Sequence, residues 1–375
     1  MIIKVHNSIS DIKSDFLKEI NHENNTYFTK PILGSFEYSN PNIDMRYICI
    51  SEGETPLAFA AVQIIKLNVD VILKNIKVSQ LMRKTLNMFF CNDHIKIMFC
   101  GNIFLSGEYG ICFSDDKKQK TIINNVAIAL DSIKKTINPL HAIFIKDFEN
   151  SSLIYSKGFE NYGYTNINVE PNMLIYLDEK WKSFDDYKNA LKSKYRIKAN
   201  KADANSEKLN SKLLSKADLE NFQDQLQNLY QNTIDNANFN AQVLNLDTYV
   251  KLKSKFKNNF IVKGYFLEGK LVGFLSALKN NKSLDAHFIG LNYSLNKLHS
   301  IYPRILNDYV RLGIKCKVKQ INLGRTASEI KSTIGAKPVK LTCYIKHKNR
   351  FVNLLIRPFL KKIQIKSFKQ HSPFK

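Results

Sequence analysis

Two apolar hairpins, far apart in the chain and built to one plan, constrain the fold more than any other feature. Residues 45–64 read MRYICISEGETPLAFAAVQI, and residues 260–279 read FIVKGYFLEGKLVGFLSALK. Each is a strand, a Glu-Gly turn carrying Gly53 or Gly269, and a second, more apolar strand. A short glycine turn between two β-prone runs marks a hairpin, because glycine enters the left-handed region without a Cβ penalty. Any two hairpins look alike, so the shared plan is read as common layout and a faint internal duplication.

Helical patterns flank both hairpins. In 8–20, Ser8 or Ser10 caps a face made of Ile12, Phe16, Leu17 and Ile20; in 119–136, Ile122, Val126, Ala129, Leu130 and Ile133 form a stripe. Strands are expected at 95–100 and 141–146. In the second half, strands are expected at 173–177, 283–289, 320–323 and 341–346. Helices are expected there at 184–201, 219–232, 297–313 (stopped by Gly313) and 327–333. The fold class is α/β in the mixed α+β sense: two lobes, each a mostly antiparallel sheet flanked by helices. A length of 375 residues suits two domains. Pro171 interrupts a polar stretch before the strand MLIYL, which sets the expected lobes at 1–170 and 171–346, with a tail at 347–375.

Charge narrows the partners. The formal net charge is +23, a field that favours phosphate-bearing partners such as a nucleotide cofactor, RNA or an anionic membrane. No acid follows Glu329, and twelve Lys/Arg lie between 330 and 375. Phe351, Leu354, Leu355, Ile356, Phe359, Leu360, Ile363, Ile365 and Phe368 are interleaved with them. That mixture predicts an interfacial helix over 350–369, interrupted at Pro358, in peripheral contact with an anionic membrane. RNA contact is the rival reading, and packing of the apolar residues on the second lobe is a third. The six cysteines form no C-x-x-C pair; Cys91 and His94 make a single C-x-x-H with no second pair to complete a zinc site. They read as reduced thiols, and no metal site is expected. The N-terminus lacks an apolar run of signal-peptide length, and no run elsewhere spans a bilayer. The expected location is the cytoplasm, at most peripheral to the inner face of the membrane.

The stretch 284–341 reads LDAHFIGLNYSLNKLHSIYPRILNDYVRLGIKCKVKQINLGRTASEIKSTIGAKPVKL. With 183–202, SFDDYKNALKSKYRIKANKA, it resembles the C-terminal half of the Fem-like branch of the GNAT acyltransferase superfamily. The resemblance implies two fused GNAT-like lobes, the second carrying the chemistry. It implies an N-acyltransferase that moves an acyl or aminoacyl group to an amine on a peptidoglycan precursor, a surface glycan or an aminolipid. The acceptor is then a small-molecule or lipid-linked amine. The Gly-rich pyrophosphate loop of GNAT enzymes is absent, so acyl-CoA, acyl-carrier protein and aminoacyl-tRNA all stand as donors, with tRNA not favoured. No tightly bound cofactor is expected. The alternative is a non-catalytic GNAT-like module binding RNA or an anionic membrane.

Several residues follow from these segments. Arg325 emerges after a strand and Gly324, where α/β sheets place ligand contacts; its bland reading is an ion pair with Glu329. The resemblance implies that Lys331 sits near the donor carbonyl, stabilising the oxyanion from an exposed position. Glu329, the last acid, orients Lys331 or Arg325 or accepts the amine proton. Asp285 and His287 alternate on one strand and share a side; if that side lines the cleft, Asp285 is the better general-base candidate of the two, and if it faces solvent, neither matters. Tyr302, beside Pro303, touches substrate or packs in the core. Tyr195 and Arg196 lie in the family-like helix as substrate contacts. Nothing in 1–170 resembles the G-R-x-x-x-E-I-K segment, so the first lobe is expected to act as scaffold and acceptor-side wall.

Overall fold

The computed structural model describes residues 1–21, 23–68, 94–114, 118–237, 241–362, 365 and 367–375. They form two compact units. The first is Met1–Glu170, Asn238–Leu244 and Lys340–Lys366; the second is Pro171–Ala237, Asn245–Val339 and Ser367–Lys375. In chain order the strands are β1 (Ile2–His6), β2 (Asp44–Glu52), β3 (Thr55–Asn68), β4 (His94–Cys100), β5 (Ile111–Phe113), β6 (Ala142–Phe148) and β7 (Thr165–Tyr176). They continue with β8 (Asn210–Leu213), β9 (Phe260–Leu267), β10 (Lys270–Asn280), β11 (Ser283–Leu291), β12 (Gln320–Asn322) and β13 (Lys337–His347).

The first unit orders its sheet β1-β2-β3-β4-β6-β13, with β5 paired to β3. All these pairings are antiparallel except β4 with β6. The second unit orders its sheet β8-β9-β10-β11-β12-β7, antiparallel except β11 with β12. Apart from β5, the two paths therefore repeat one pattern of pairing, and the hairpins β2–β3 and β9–β10 occupy equivalent places. Both turn glycines are left-handed, at φ 60° for Gly53 and 78° for Gly269. A parallel pair needs a crossover element; helix Gln119–Thr136 supplies it in the first unit and helix Ile301–Lys315 in the second.

Each crossover helix also builds its unit's core. Ile122, Ile123, Val126, Leu130 and Ile133 cluster with Ile48, Val62, Met98 and Ile143. In the second unit, Ile305, Leu306, Tyr309 and Val310 cluster with Leu275, Ala277, Leu284 and Ile321. Each fully buried aliphatic side chain contributes roughly 1.5–3 kcal/mol. Gly313 is not a stop: the helix runs on to Lys315, and a Cβ at that position would lie 2.6 Å from Ile321 Cδ1. The glycine lets the helix approach β12 closely.

Three expected helices are broken, and at the first a tertiary partner takes the backbone groups. The 184–201 pattern becomes Phe184–Ala190 and Ser193–Asn205, because Leu191 is extended and bridges Phe374. The 297–313 pattern becomes Tyr293–His299 and Ile301–Lys315, parted by Ser300 at φ 47°. Pro303 then falls in a first turn, where its missing N–H is harmless. The 219–232 pattern becomes Lys216–Asn221 and Gln223–Asp235. Strand β7 runs through Pro171 without a break.

The tail is not one element. Residues Arg350–Leu360 form a helix of the first unit, and Ser367–Lys375 belong to the second. Asn349 caps the helix through the N–H groups of Phe351 and Val352, and Asn353 ties it to Gly163 O at 2.8 Å. Phe368 and Phe374 pack on the second unit's core. The expected interfacial stretch 350–369 is thereby shortened to the helix, and Ile363 lies outside the described residues. Among the described residues no helix is long and apolar enough to cross a membrane.

Candidate functional site

The site begins where two parallel strands part. β11 and β12 pair over Ser283↔Gln320, Leu284↔Ile321 and Asp285↔Asn322 only, and β11 continues to Leu291. Ligands in α/β sheets bind beyond the carboxyl ends of such strands. Asp285 holds the last paired position; it is 3% exposed and accepts from the Ser283 hydroxyl at 2.6 Å. Opposite it, Asn322 Oδ1 accepts the Gly324 N–H at 2.9 Å and turns the chain out of the strand. Leu323 N–H donates to Met173 O at 2.9 Å, and Met173 N–H donates to Gly324 O at 3.1 Å.

The loop that follows is strained and clamped. Gly324, Thr326 and Ala327 have φ of 69°, 64° and 48°, a region that costs a non-glycine residue about 1–3 kcal/mol. Helix Ser328–Ser332 then turns Lys331 back onto the loop. Its ammonium donates to Leu323 O at 2.7 Å, Gly324 O at 3.3 Å and Arg325 O at 2.6 Å. Lys331 is 7% exposed, which corrects the expectation of an exposed lysine. Peptide planarity sets the N–H opposite its carbonyl, so the N–H groups of Arg325 and Thr326 point away from the ammonium.

The other candidates separate. Glu329 is two residues from Lys331 and faces another way; it reaches His371 Nε2 at 3.3 Å. Arg325 is half-buried in the loop. His287 packs its ring against Tyr249 and Phe260, at 6.4 and 5.8 Å between centroids, and burial pulls its pKa down to about 4. It is therefore neutral at pH 7, on a strand side covered by helix Asp247–Phe256. Tyr302 packs at the edge of the second unit's core, and burial raises its hydroxyl pKa well above the phenol range. Tyr195 meets His371 Nδ1 at 3.1 Å, while Arg196 is half-buried on the same helix.

Sequence reasoning missed Asn322, Met173, Ser332 and His371. Asn322 directly before Leu-Gly-Arg was the one local signal; the others become relevant only through tertiary placement. Among the described residues no group of three or more His, Cys, Asp or Glu is placed to hold a metal ion. Cys49, Cys100, Cys112, Cys316 and Cys343 are free thiols; Cys91 lies outside the described residues.

The first unit has its own parallel fork, at the ends of β4 and β6, and it is charged. Asp147 there is fully buried at φ 64°, with Lys146 Nζ at 3.5 Å and the Gly107 N–H at 3.3 Å. Burial raises the carboxyl pKa of nearby Glu108 and Glu149.

The profile of the FemAB-like family, described as peptidoglycan biosynthesis/recognition, matches residues 109–375. No curated protein matches the chain. Among solved structures it is similar to the crystal structure of FemX, with 11% identity over 94% of this chain and 100% of that one and a TM-score of 0.57. It is similar to L-PGS from Bacillus licheniformis, with 10% identity over 93% and 98% of the two chains and a TM-score of 0.54. It is also similar to a tandem GNAT protein from the clavulanic acid biosynthesis pathway, with 8% identity over 93% and 99% and a TM-score of 0.54. Those likenesses establish the fold, which agrees with the duplicated sheet. With the match extending across both units, the chain belongs to the FemAB-like family of peptidoglycan biosynthesis and recognition proteins, built on the tandem GNAT fold.

Proposed function

We propose that the chain transfers an aminoacyl group to a primary amine on a peptidoglycan precursor or another lipid-linked envelope acceptor. Family membership supports an acyltransferase of cell-envelope biosynthesis. The observation that carries the reading is the fork between β11 and β12: buried Asp285 pairs with Asn322, directly ahead of the loop that Lys331 clamps. A neutral amine attacks the donor carbonyl carbon; the C–N bond forms and the C–O bond to the donor's ribose breaks. Asp285 takes the amine proton. The N–H groups of Arg325 and Thr326, oriented by Lys331, hold the oxyanion, and the lysine adds its charge from behind the loop. Arg325 and Arg196 contact the substrates.

Aminoacyl-tRNA now leads as donor, ahead of acyl-CoA and acyl-carrier protein. The family's peptidoglycan role favours an aminoacyl group, and the +23 charge suits a polyanionic carrier. No tightly bound cofactor takes part; the donor is a substrate. The protein works at the inner face of the membrane, attached through helix Arg350–Leu360. That helix exposes Phe351, Leu354, Leu355 and Phe359 beside Arg350, Arg357, Lys361 and Lys362. A panel of labelled aminoacyl-tRNA, acyl-CoA and acyl-carrier protein donors, offered with extracted envelope precursors, tests the reading. Label on an acceptor amine supports it; RNA or lipid binding with no transfer from any donor favours the non-catalytic module.

A further inference from the structure

The C-terminal residues Ser367–Lys375 lie along the two segments of the second unit that carried the family resemblance. Lys192 N–H donates to Pro373 O at 2.8 Å, and Lys375 N–H donates to Ala190 O at 3.0 Å. Phe374 packs against Trp181 and Tyr187, at 5.4 and 6.0 Å between centroids. It also fills the space over Gly335, where an added Cβ would meet its ring at 2.4 Å. So seated, the strap sets His371 between Tyr195 and Glu329. Nδ1 is 3.1 Å from the Tyr195 hydroxyl, Nε2 is 3.3 Å from Glu329 Oε1, and the His371 N–H donates to Ser332 Oγ at 3.1 Å. The His371 side chain is 12% exposed and that of Glu329 57%.

In the neutral ring, donor and acceptor chemistry sets the hydrogens as follows. An ionised carboxylate only accepts, so Nε2 carries the imidazole hydrogen and Nδ1 offers its lone pair. Tyr195 then donates its hydroxyl hydrogen to Nδ1. The order is phenol, imidazole, carboxylate, and the carboxylate steadies the imidazolium that forms when the ring takes a proton. Among the described residues, lysines also face this group. Lys194 and Lys198 lie over the Tyr195 ring at 6.0 and 5.9 Å, and Lys192 Nζ donates to Ser372 O at 3.0 Å.

We propose that His371 is a positioning residue for the transfer reaction: it orients Tyr195 and receives the proton that Tyr195 passes on. This rests on acyl transfer taking place in the second unit. The amine proton that Asp285 takes moves on to the Tyr195 oxygen as the C–N bond forms. The original hydroxyl proton moves to Nδ1, leaving an imidazolium against Glu329. When the donor's C–O bond breaks, the proton returns along the same path to the leaving oxygen. The relay accepts protons only while His371 is neutral, so it fails on the acid side.

Two measurements on the intact chain test this. With ¹⁵N-labelled histidine, NMR titration is expected to show His371 as the Nε2–H tautomer, with a midpoint that moves in both Tyr195→Phe and Glu329→Gln. In the transfer assay, His371→Gln is expected to lower kcat about 10- to 100-fold, to leave KM nearly unchanged, and to flatten the acid limb of the pH–rate profile. A His371 signal unmoved by both partner variants overturns the proposal. So does a His371→Gln enzyme that keeps the wild-type pH profile, whether or not its rate falls. If that variant does not fold, the titrations of the two partner variants decide. The NMR arm needs no substrate, so wild-type protein that transfers nothing from any donor tells against acyl transfer itself and is distinguishable from an absent relay.

Discussion

Lys331 governs the loop after β12. Three carbonyls converge on its ammonium, and two left-handed non-glycine residues follow directly. Each buried carbonyl left unpaired costs about 1–3 kcal/mol. Gly324 O keeps the Met173 N–H, so Lys331→Met takes its donor from the other two carbonyls and is expected to lower the unfolding free energy by about 2–6 kcal/mol in urea melts. Turnover is expected to fall about 100-fold as the N–H groups of Arg325 and Thr326 lose their orientation. Lys331→Arg should not rescue it, since a planar fork cannot point at three converging carbonyls. An unchanged melt would contradict the clamp. Composition marks Lys331 as one of 56 Lys and Arg residues and cannot tell it from a solvated one; only the return of the short helix onto the loop does. Glu329 and Tyr195 were likewise visible as residues, while their common partner lay hidden in a basic tail.

Elements divide by what decides them. The 119–136 helix and the hairpin at 260–278 were legible because apolar periodicity and a glycine turn are local signals. The break at Leu191 was not, because the distant Pro373 and Lys375 take the backbone there; at Ser300 the local Asn296 Oδ1 takes the Tyr302 N–H, a side-chain cap that apolar periodicity does not register. Helix Ile301–Lys315 depends on another long-range device. Asp308, 1% exposed, receives Lys263 Nζ at 2.8 Å, the Tyr265 hydroxyl at 2.7 Å, Arg304 Nε at 3.2 Å and an Arg311 nitrogen at 2.7 Å. Burial works to raise its pKa, but Lys263 and Arg304 outweigh that and hold it below the usual carboxylate range. A depressed folded pKa contributes stability that is complete above the unfolded value, roughly pH 4, and is lost as pH falls through the folded value. Asp308→Asn should cost about 3–5 kcal/mol near neutral pH, and the gap to wild type should shrink in urea melts below pH 4. A gap that stays constant with pH would show that the carboxylate's charge is not what holds the helix.

At the scale of the molecule, the two units repeat one path of six strands, with β5 added to β3 in the first. The sixth strand is β13 in one unit and β7 in the other, an exchange that local patterns do not announce. Charge and exposed apolar surface come together at helix Arg350–Leu360, where Phe351 is 79% and Leu354 66% exposed. Sedimentation with anionic vesicles should capture the protein, weaken with salt, and disappear when Phe351, Leu354, Leu355 and Phe359 are all replaced by Ser. Equal binding to neutral vesicles, or binding that survives the replacement, would rule out this attachment. The central claim, acyl transfer at the fork between β11 and β12, is tested most directly by Asp285→Asn in the donor panel. Wild-type protein should label an acceptor amine, and the variant, with an unchanged unfolding midpoint, should do so about 100-fold or more slowly; transfer by the variant at the wild-type rate would contradict the account.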